Sequence, residues 1–314
     1  MPEISDVLII GGGHAGMSAA LTTYRALLKT TIFDTQRPRN RWNTAVRLTP
    51  SWDSKSVEET RKLSHEELEQ TGFVAFVDAA IESIAKTDNG LFKVSDASGA
   101  SWLGHKVLLS MGCSTTFPQI PGYEESFARK IYPCMYQFGF EERGAQSAGL
   151  LAVDGLASVR FATGLADDGH RFSHEFTIYT DGNAALAREL EEVVVPNGMT
   201  VDDRRIQKLQ SEEGAKSITI HFDDGSSKSE AFLVHRPMTL NSSPLIKQLG
   251  LDMTPMGDIA TSMPFCQTNV PGVYAAGDCA SLSKIIPQAV VMGAYAGCGI
   301  ARELPKRVTG NSCT

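Results

Sequence analysis

Directly behind the apolar run Val7-Leu8-Ile9-Ile10 stand six residues that leave few folds open: Gly11-Gly12-Gly13-His14-Ala15-Gly16. The small residues that follow, Met17-Ser18-Ala19-Ala20-Leu21, suit a helix start, so a buried strand ends and a helix begins at this turn. Gly11 permits the tight turn, and Gly13 lets a pyrophosphate come up against the backbone. Gly16 lets helix and strand pack closely, so the helix N-terminus faces the phosphates. The next strand-like run, Thr30-Thr31-Ile32-Phe33, ends in Asp34, an acid placed to hold a ribose hydroxyl pair. These spacings predict a dinucleotide-binding α/β domain.

Composition narrows the class. The chain has 314 residues, of which 42% are hydrophobic and 21% charged, enough for two ordinary domains and too apolar for disorder. A net charge of -7 argues against a nucleic-acid or anionic-membrane partner. No apolar stretch reaches transmembrane length, and the first strand begins too near Met1 for a targeting leader. The six cysteines (113, 134, 266, 279, 298 and 313) contain no C-x-x-C, so neither a disulfide framework nor a zinc site is expected, and no metal. A reducing, cytoplasmic setting is the default.

Periodicity predicts strand 4–10, helix 14–28, strand 30–34 and then a turn-rich arm from Gln36 to Asn43. Helix 56–71 follows, with Ser54 or Ser56 as its N-cap. Strands are expected at 73–77 and 79–85 (one bent segment or a pair), 91–95 and 101–110. A dinucleotide-binding first domain then covers 1–115. A separate α/β unit covers 116–241, with strands near 149–153, 157–161, 175–180, 217–222 and 230–234 and a helix at 182–193. Residues 242–314 return to the first domain and end in a small-residue helix, 287–303. The alternation indicates a parallel-sheet α/β fold.

With these landmarks the chain resembles the low-molecular-weight thioredoxin reductases, and more closely their fungal branch, the gliotoxin-type dithiol oxidases. The resemblance rests on the first glycine turn, the Arg39-Asn40 arm, the strand end Ser110-Met111-Gly112, the segment Tyr274-Ala275-Ala276-Gly277-Asp278, and Pro287-Gln288-Ala289 opening the last helix. It implies a two-domain FAD/NAD(P)-binding Rossmann-like fold, bound FAD and a homodimer. The FAD contacts it implies fall on Gly11, Gly13, His14, Ala15, Gly16, Asp34, Arg39, Asn40, Ala80, Met111, Gly112, Gly277, Asp278, Gln288 and Ala289. In the family, Asp278 meets the ribityl-phosphate portion, and the helix opened by Gln288-Ala289 aims its N-terminus at the flavin ring, favouring negative charge there.

Two family features are missing. The redox C-x-x-C falls on Cys134-Met135-Tyr136-Gln137, so the second cysteine is a glutamine, which can neither form a thiolate nor exchange a disulfide. The second glycine motif, for the pyrophosphate of NADPH, has no counterpart in Gly144 to Leu156. Asp181, after the strand at 175–180, reads as a helix N-cap in preference to a ribose ligand. The remaining cysteines read as inert. Cys134, Tyr136 and Gln137 are the catalytic candidates: Cys134 and Tyr136 for proton handling, Gln137 for orienting substrate. Met135, Phe138 and Phe140 offer either an apolar wall or core packing.

Among the histidines, His14 sits in the phosphate turn, His65 reads as solvated beside Glu66 and Glu67, and His170 and His174 read as a surface loop. The expectation is an FAD-dependent oxidase or dehydrogenase of a small organic molecule, a fungal secondary-metabolite intermediate, with molecular oxygen as acceptor. Thiol oxidation through Cys134 alone is one alternative. A flavoprotein scaffold for cyclisation without net redox is the other.

Overall fold

Strand pairing starts from the apolar run at 7–10, whose side chains are all buried. The computed structural model describes residues 4–305 apart from 213 and 215, and Cys313 lies outside them. The chain divides into two units: one gathers the N-terminal segment to Arg41, Ala45–Ser114 and the segment from Leu240 on, and the other holds Trp42–Thr44 and Thr115–Thr239.

In the first unit, β1 (Ile4–Ile10), α1 (His14–Arg25), β2 (Thr30–Phe33), α2 (Val57–Glu69) and β3 (Val74–Val77) alternate as the sequence predicts. Ser56 caps α2 by accepting from the Glu59 amide. β4 (Ile81–Lys86), β5 (Phe92–Asp96) and β6 (Ser101–Leu109) complete the order β3-β2-β1-β6-β5-β4. β3 pairs parallel with β2, whereas β4 pairs antiparallel with β5, so 73–77 and 79–85 are two strands and not one bent segment.

The chain leaves this unit at β7 (Ser114–Thr116). The second unit runs through α3 (Tyr123–Ser126), β8 (Ile131–Tyr132), α4 (Met135–Glu142), β9 (Ala145–Leu151), α5 (Val159–His170), β10 (Ser173–Tyr179) and α6 (Ala184–Val194). β11 (Thr200–Asp202), β12 (Ile206–Gln210), β13 (Ile218–Phe222), β14 (Ser227–Glu230) and β15 (Leu233–Val234) follow. Five parallel strands in the order β11-β10-β9-β15-β8 form its main sheet, and β12-β13-β14 form an antiparallel one.

Two expectations are corrected here. The strand expected at 157–161 is the start of α5: the alternation there is short, while Ala162, Ala166 and Gly169 line one helical face and are buried. The segment 167–174 is the end of α5 and the start of β10, so His170 and His174 do not share a loop.

The chain returns through β16 (Met238–Leu240), α7 (Pro244–Leu249), β17 (Val273–Ala275) and α8 (Ile286–Glu303). β17 pairs parallel with the C-terminal half of β6. Helix α8 packs on α1 through glycines: a Cβ on Gly293 would stand 2.1 Å from the Ala15 carbonyl oxygen. No helix among the described residues is long and apolar enough to cross a membrane.

Candidate functional site

The first turn is shaped by three glycines with different duties. Gly11 has φ +112°, and a Cβ there would meet the Ser110 carbonyl oxygen at 2.3 Å. Gly16 lies against the Gly11 carbonyl, 2.1 Å from a would-be Cβ. At Gly13 nothing stands within 4 Å. That open face borders the N-terminus of α1, whose first turn carries no acidic residue and whose cap has no side chain. Amides in a first turn have no intrahelical acceptor, so the cradle fits a pyrophosphate. Burial, then the charge of Arg61, lowers the His14 pKa; nearby Asp278 pulls the other way.

Asp34 is buried at the end of β2, beneath the turn, and a Cβ on Gly12 would stand 2.5 Å from its Oδ2. Arg61 of α2 donates from Nη2 to Asp34 Oδ2 (2.7 Å) and Gln36 Oε1 (2.9 Å), and from Nη1 to the Gly12 carbonyl (3.2 Å). His65, one turn further along α2, stacks on Phe76 at 3.9 Å and brings Nε2 to 3.5 Å from Asp34 Oδ2. The expectation of a solvated His65 is thereby corrected; its partner ring comes from β3, which the helix pattern alone does not show. Burial pushes the Asp34 pKa up, but hydrogen bonds to His65 and Arg61 and the Arg61 charge outweigh it and hold the carboxyl at about 2.

The opposite side of the turn is built from distant segments. Arg39 donates from Nε to Asp278 and from Nη2 to the Lys284 carbonyl (3.0 Å). Lys284 in turn donates to Asp258 (2.8 Å) and to the carbonyls of Asp278 (2.9 Å) and Ser281 (2.8 Å). This knot fixes the loop leading into α8, where Pro287 stands in a first turn free of acidic residues and Gln288 and Ala289 are half-buried. Gly277, at φ +79°, lies against Ala15 of α1. The Asn40 amide nitrogen is enclosed without a hydrogen-bond partner, a donor left for a ligand. Met111 and Gly112 are half-buried just past β6, and Ala80 is exposed just before β4. The FAD candidates therefore share the first unit, and their residues suit the cofactor. Arg61, His65, Asp258 and Lys284 are additions that the sequence reading missed, because each acts through a partner far away in the chain.

Cys134, Tyr136 and Gln137 belong to the second unit. Cys134 is the N-cap of α4, extended and half-buried, and Gln137 donates its backbone amide to the Cys134 carbonyl (3.1 Å). Tyr136 is exposed and donates its hydroxyl to Asp168 (2.9 Å), a bond that raises its pKa. Of the apolar wall, Met135 is buried in the core of the unit and Phe138 stacks on Tyr132 at 4.7 Å. Phe140 stays exposed, with the Arg143 guanidinium over its ring. Cys266 and Cys279 are buried, which pushes their thiols up to about 11 and about 12.

Because β9 occupies Ala145–Leu151, the turn that would have to hold a second pyrophosphate is 152–158. It carries one glycine, Gly155, and a Cβ there would stand 2.5 Å from the Met238 sulfur. Its neighbour Asp154 is exposed and in the left-handed region at φ +49°. The expectation that Asp181 caps α6 is corrected: Asn183 is the cap, accepting from Leu186, and Asp181 accepts from the Ile206 amide at 2.7 Å.

Residues 5–296 match the model of the family described as pyridine nucleotide-disulphide oxidoreductase. The chain is 34% identical over 307 residues to the thioredoxin reductase sirT of Leptosphaeria maculans, covering 95% of this chain and 94% of that protein. It is 36% identical over 298 residues to the thioredoxin reductase tcpT of Claviceps purpurea, covering 94% and 92%. The solved structure of an oxidoreductase from Agrobacterium tumefaciens superposes with a TM-score of 0.85 at 27% identity, over 96% of this chain and 98% of that one. With the open cradle at Gly13 and the Arg39–Asp278 knot, these matches make the chain a member of the pyridine nucleotide-disulphide oxidoreductase family, an FAD flavoprotein of the thioredoxin reductase type.

Proposed function

We propose that this flavoprotein oxidises a small organic molecule with molecular oxygen as the acceptor and does not draw electrons from NADPH or NADH. The observation that carries this reading is the contrast between its two turns: three glycines shape 11–16 and Gly13 is open, whereas 152–158 holds one glycine, the exposed Gly155, with the Met238 thioether beside it. A pyrophosphate at 152–158 would meet a thioether and the Asp154 carboxylate in place of free backbone donors. The absence of a second cysteine at Gln137 supports the same reading, since disulfide relay needs two thiols. When bound at the first turn, FAD would supply the two-electron chemistry, with oxygen as the acceptor and peroxide as its product.

In this reading Gln137 orients the substrate through its amide. Tyr136, whose hydroxyl hydrogen is donated to Asp168, offers its oxygen as an acceptor for a substrate hydrogen. A homodimer and a place in fungal secondary metabolism belong to the same reading and rest on the family resemblance. The test is anaerobic mixing with small-molecule candidates followed by air: a substrate should bleach the flavin, and air should restore it with one equivalent of peroxide. Product isomeric with substrate and no oxygen uptake would point to cyclisation without net redox.

A second reading is favoured by the half-exposed Cys134 at the start of α4: thiol oxidation through one sulfur, in which Cys134 and a substrate thiol would give up two electrons to FAD and two protons to form a mixed disulfide, and a second substrate thiol would release Cys134 by exchange. Cys134→Ser separates the two, since full turnover of the variant excludes the thiol route.

A further inference from the structure

Asp34 is a carboxylate set almost wholly out of water, with a side chain 7% exposed, and it lies under a turn that must also admit a cofactor. Left alone, burial would favour its protonated form, which cannot accept from both hydroxyls of a ribose. Three acceptors converge on one cation here: the Gly12 carbonyl, Asp34 Oδ2 and Gln36 Oε1 all receive from the Arg61 guanidinium. Gln36 closes the other side by donating its backbone amide to Asp34 Oδ1 at 3.0 Å. Oδ1 accepts from the Gln36 amide and Oδ2 from the Arg61 guanidinium, so each oxygen keeps a lone pair for a further donor. The missing Cβ at Gly12 is what allows the carboxylate to lie there at all.

We propose that Arg61 is the positioning residue of the adenosine end of the FAD site: reaching back from α2, it aims the Asp34 carboxylate and ties that acid to the carbonyl of the phosphate turn. The proposal rests on the reading that Asp34 faces the ribose. A planar fork suits the task because two donors on one rigid group fix the spacing between the turn and the acid, which a lysine ammonium cannot do. His65 adds a second nitrogen on the same helix face, 3.5 Å from the carboxylate.

FAD release from the holoenzyme, followed by the rise in flavin fluorescence, tests this. Arg61→Met keeps the apolar stem and removes the donors, and release should quicken about tenfold, as for the loss of one charge-assisted contact. Asp34→Asn should quicken it similarly. In the Asp34→Asn background, Arg61→Met should add less than about threefold, because residues acting through each other are not additive. Arg61→Lys should fall between wild type and Met, and it carries the test if the Met variant fails to fold. Equal acceleration by Arg61→Met in both backgrounds would mark a merely structural role and overturn the proposal. Release quickened by Asp34→Asn but not by Arg61→Met or Arg61→Lys would overturn Arg61 alone. Release unchanged in Asp34→Asn would remove the ribose contact itself, and the proposal with it.

Discussion

Gly13 and Gly16 stand three residues apart, yet a methyl group added to each should do different damage. At Gly13 the new Cβ enters open space, so the fold should hold to within about 0.5 kcal/mol while FAD affinity falls, because the methyl occupies the cradle. At Gly16 it would lie 2.1 Å from a backbone oxygen, and Gly16→Ala should cost about 1–3 kcal/mol of stability. Thermal melts in saturating FAD, set beside flavin content after gel filtration, separate the two effects. At this scale the sequence was legible wherever a residue's task is local: the turn glycines, the Ser56 cap and the apolar run of β1. It was not legible where the partner is remote. Arg61 looks like any surface residue of an amphipathic helix until Gly12 and Asp34 are brought against it, and His65 looks solvated until Phe76 is placed beneath it.

Helices α1 and α8 meet through small residues, and that contact makes a prediction about elements. Gly293→Ala drives a Cβ into the Ala15 carbonyl, whereas Gly164 in α5 has nothing within 4 Å. Gly293→Ala should destabilise by about 1–3 kcal/mol, while Gly164→Ala should stabilise by about 0.5–1 kcal/mol, the usual helix gain over glycine. Chemical denaturation of the two variants checks the signs. The end of β15 carries a pH effect. His235 is fully buried, accepts from the Tyr123 hydroxyl at 2.6 Å and points Nε2 at the Val153 carbonyl (3.4 Å). Burial lowers its pKa to about 4 from an ordinary 6.5, against the Val153 carbonyl, which favours the charged form. A depressed folded-state pKa gives stability that is complete above 6.5 and lost as pH falls towards 4, a loss of about 3 kcal/mol. Hydrogen exchange of the β9 and β15 amides should therefore quicken across that window in wild type and stay flatter in His235→Gln. The misread helix start at 157–161 belongs to this scale too. Five alternating residues suggest a strand, and only the buried spacing of Ala162, Ala166 and Gly169 reveals the longer period.

At the scale of the whole molecule, two units each carry parallel strands and a strand-to-helix turn at the place where a dinucleotide would lie. In one the turn is glycine-lined and open, and the residues around it suit FAD. In the other there is a single, exposed glycine with a thioether beside it, an acid is its chain neighbour, and Asp181 is spent on a backbone amide. The missing glycines were legible in the sequence, since spacing alone excludes the motif. The thioether beside Gly155 was not, because Met238 comes from the far end of the unit. The central claim is that electrons do not enter from nicotinamide, and one measurement addresses it directly: anaerobic mixing of the yellow holoenzyme with stoichiometric NADPH, and separately NADH, followed at the flavin's visible band. Without several charge-assisted phosphate contacts of about 1.5–3 kcal/mol each, binding should be weaker by orders of magnitude and the flavin should stay oxidised. Rapid bleaching by either nucleotide in the absence of air would contradict the account and return the protein to the nicotinamide-dependent reductases.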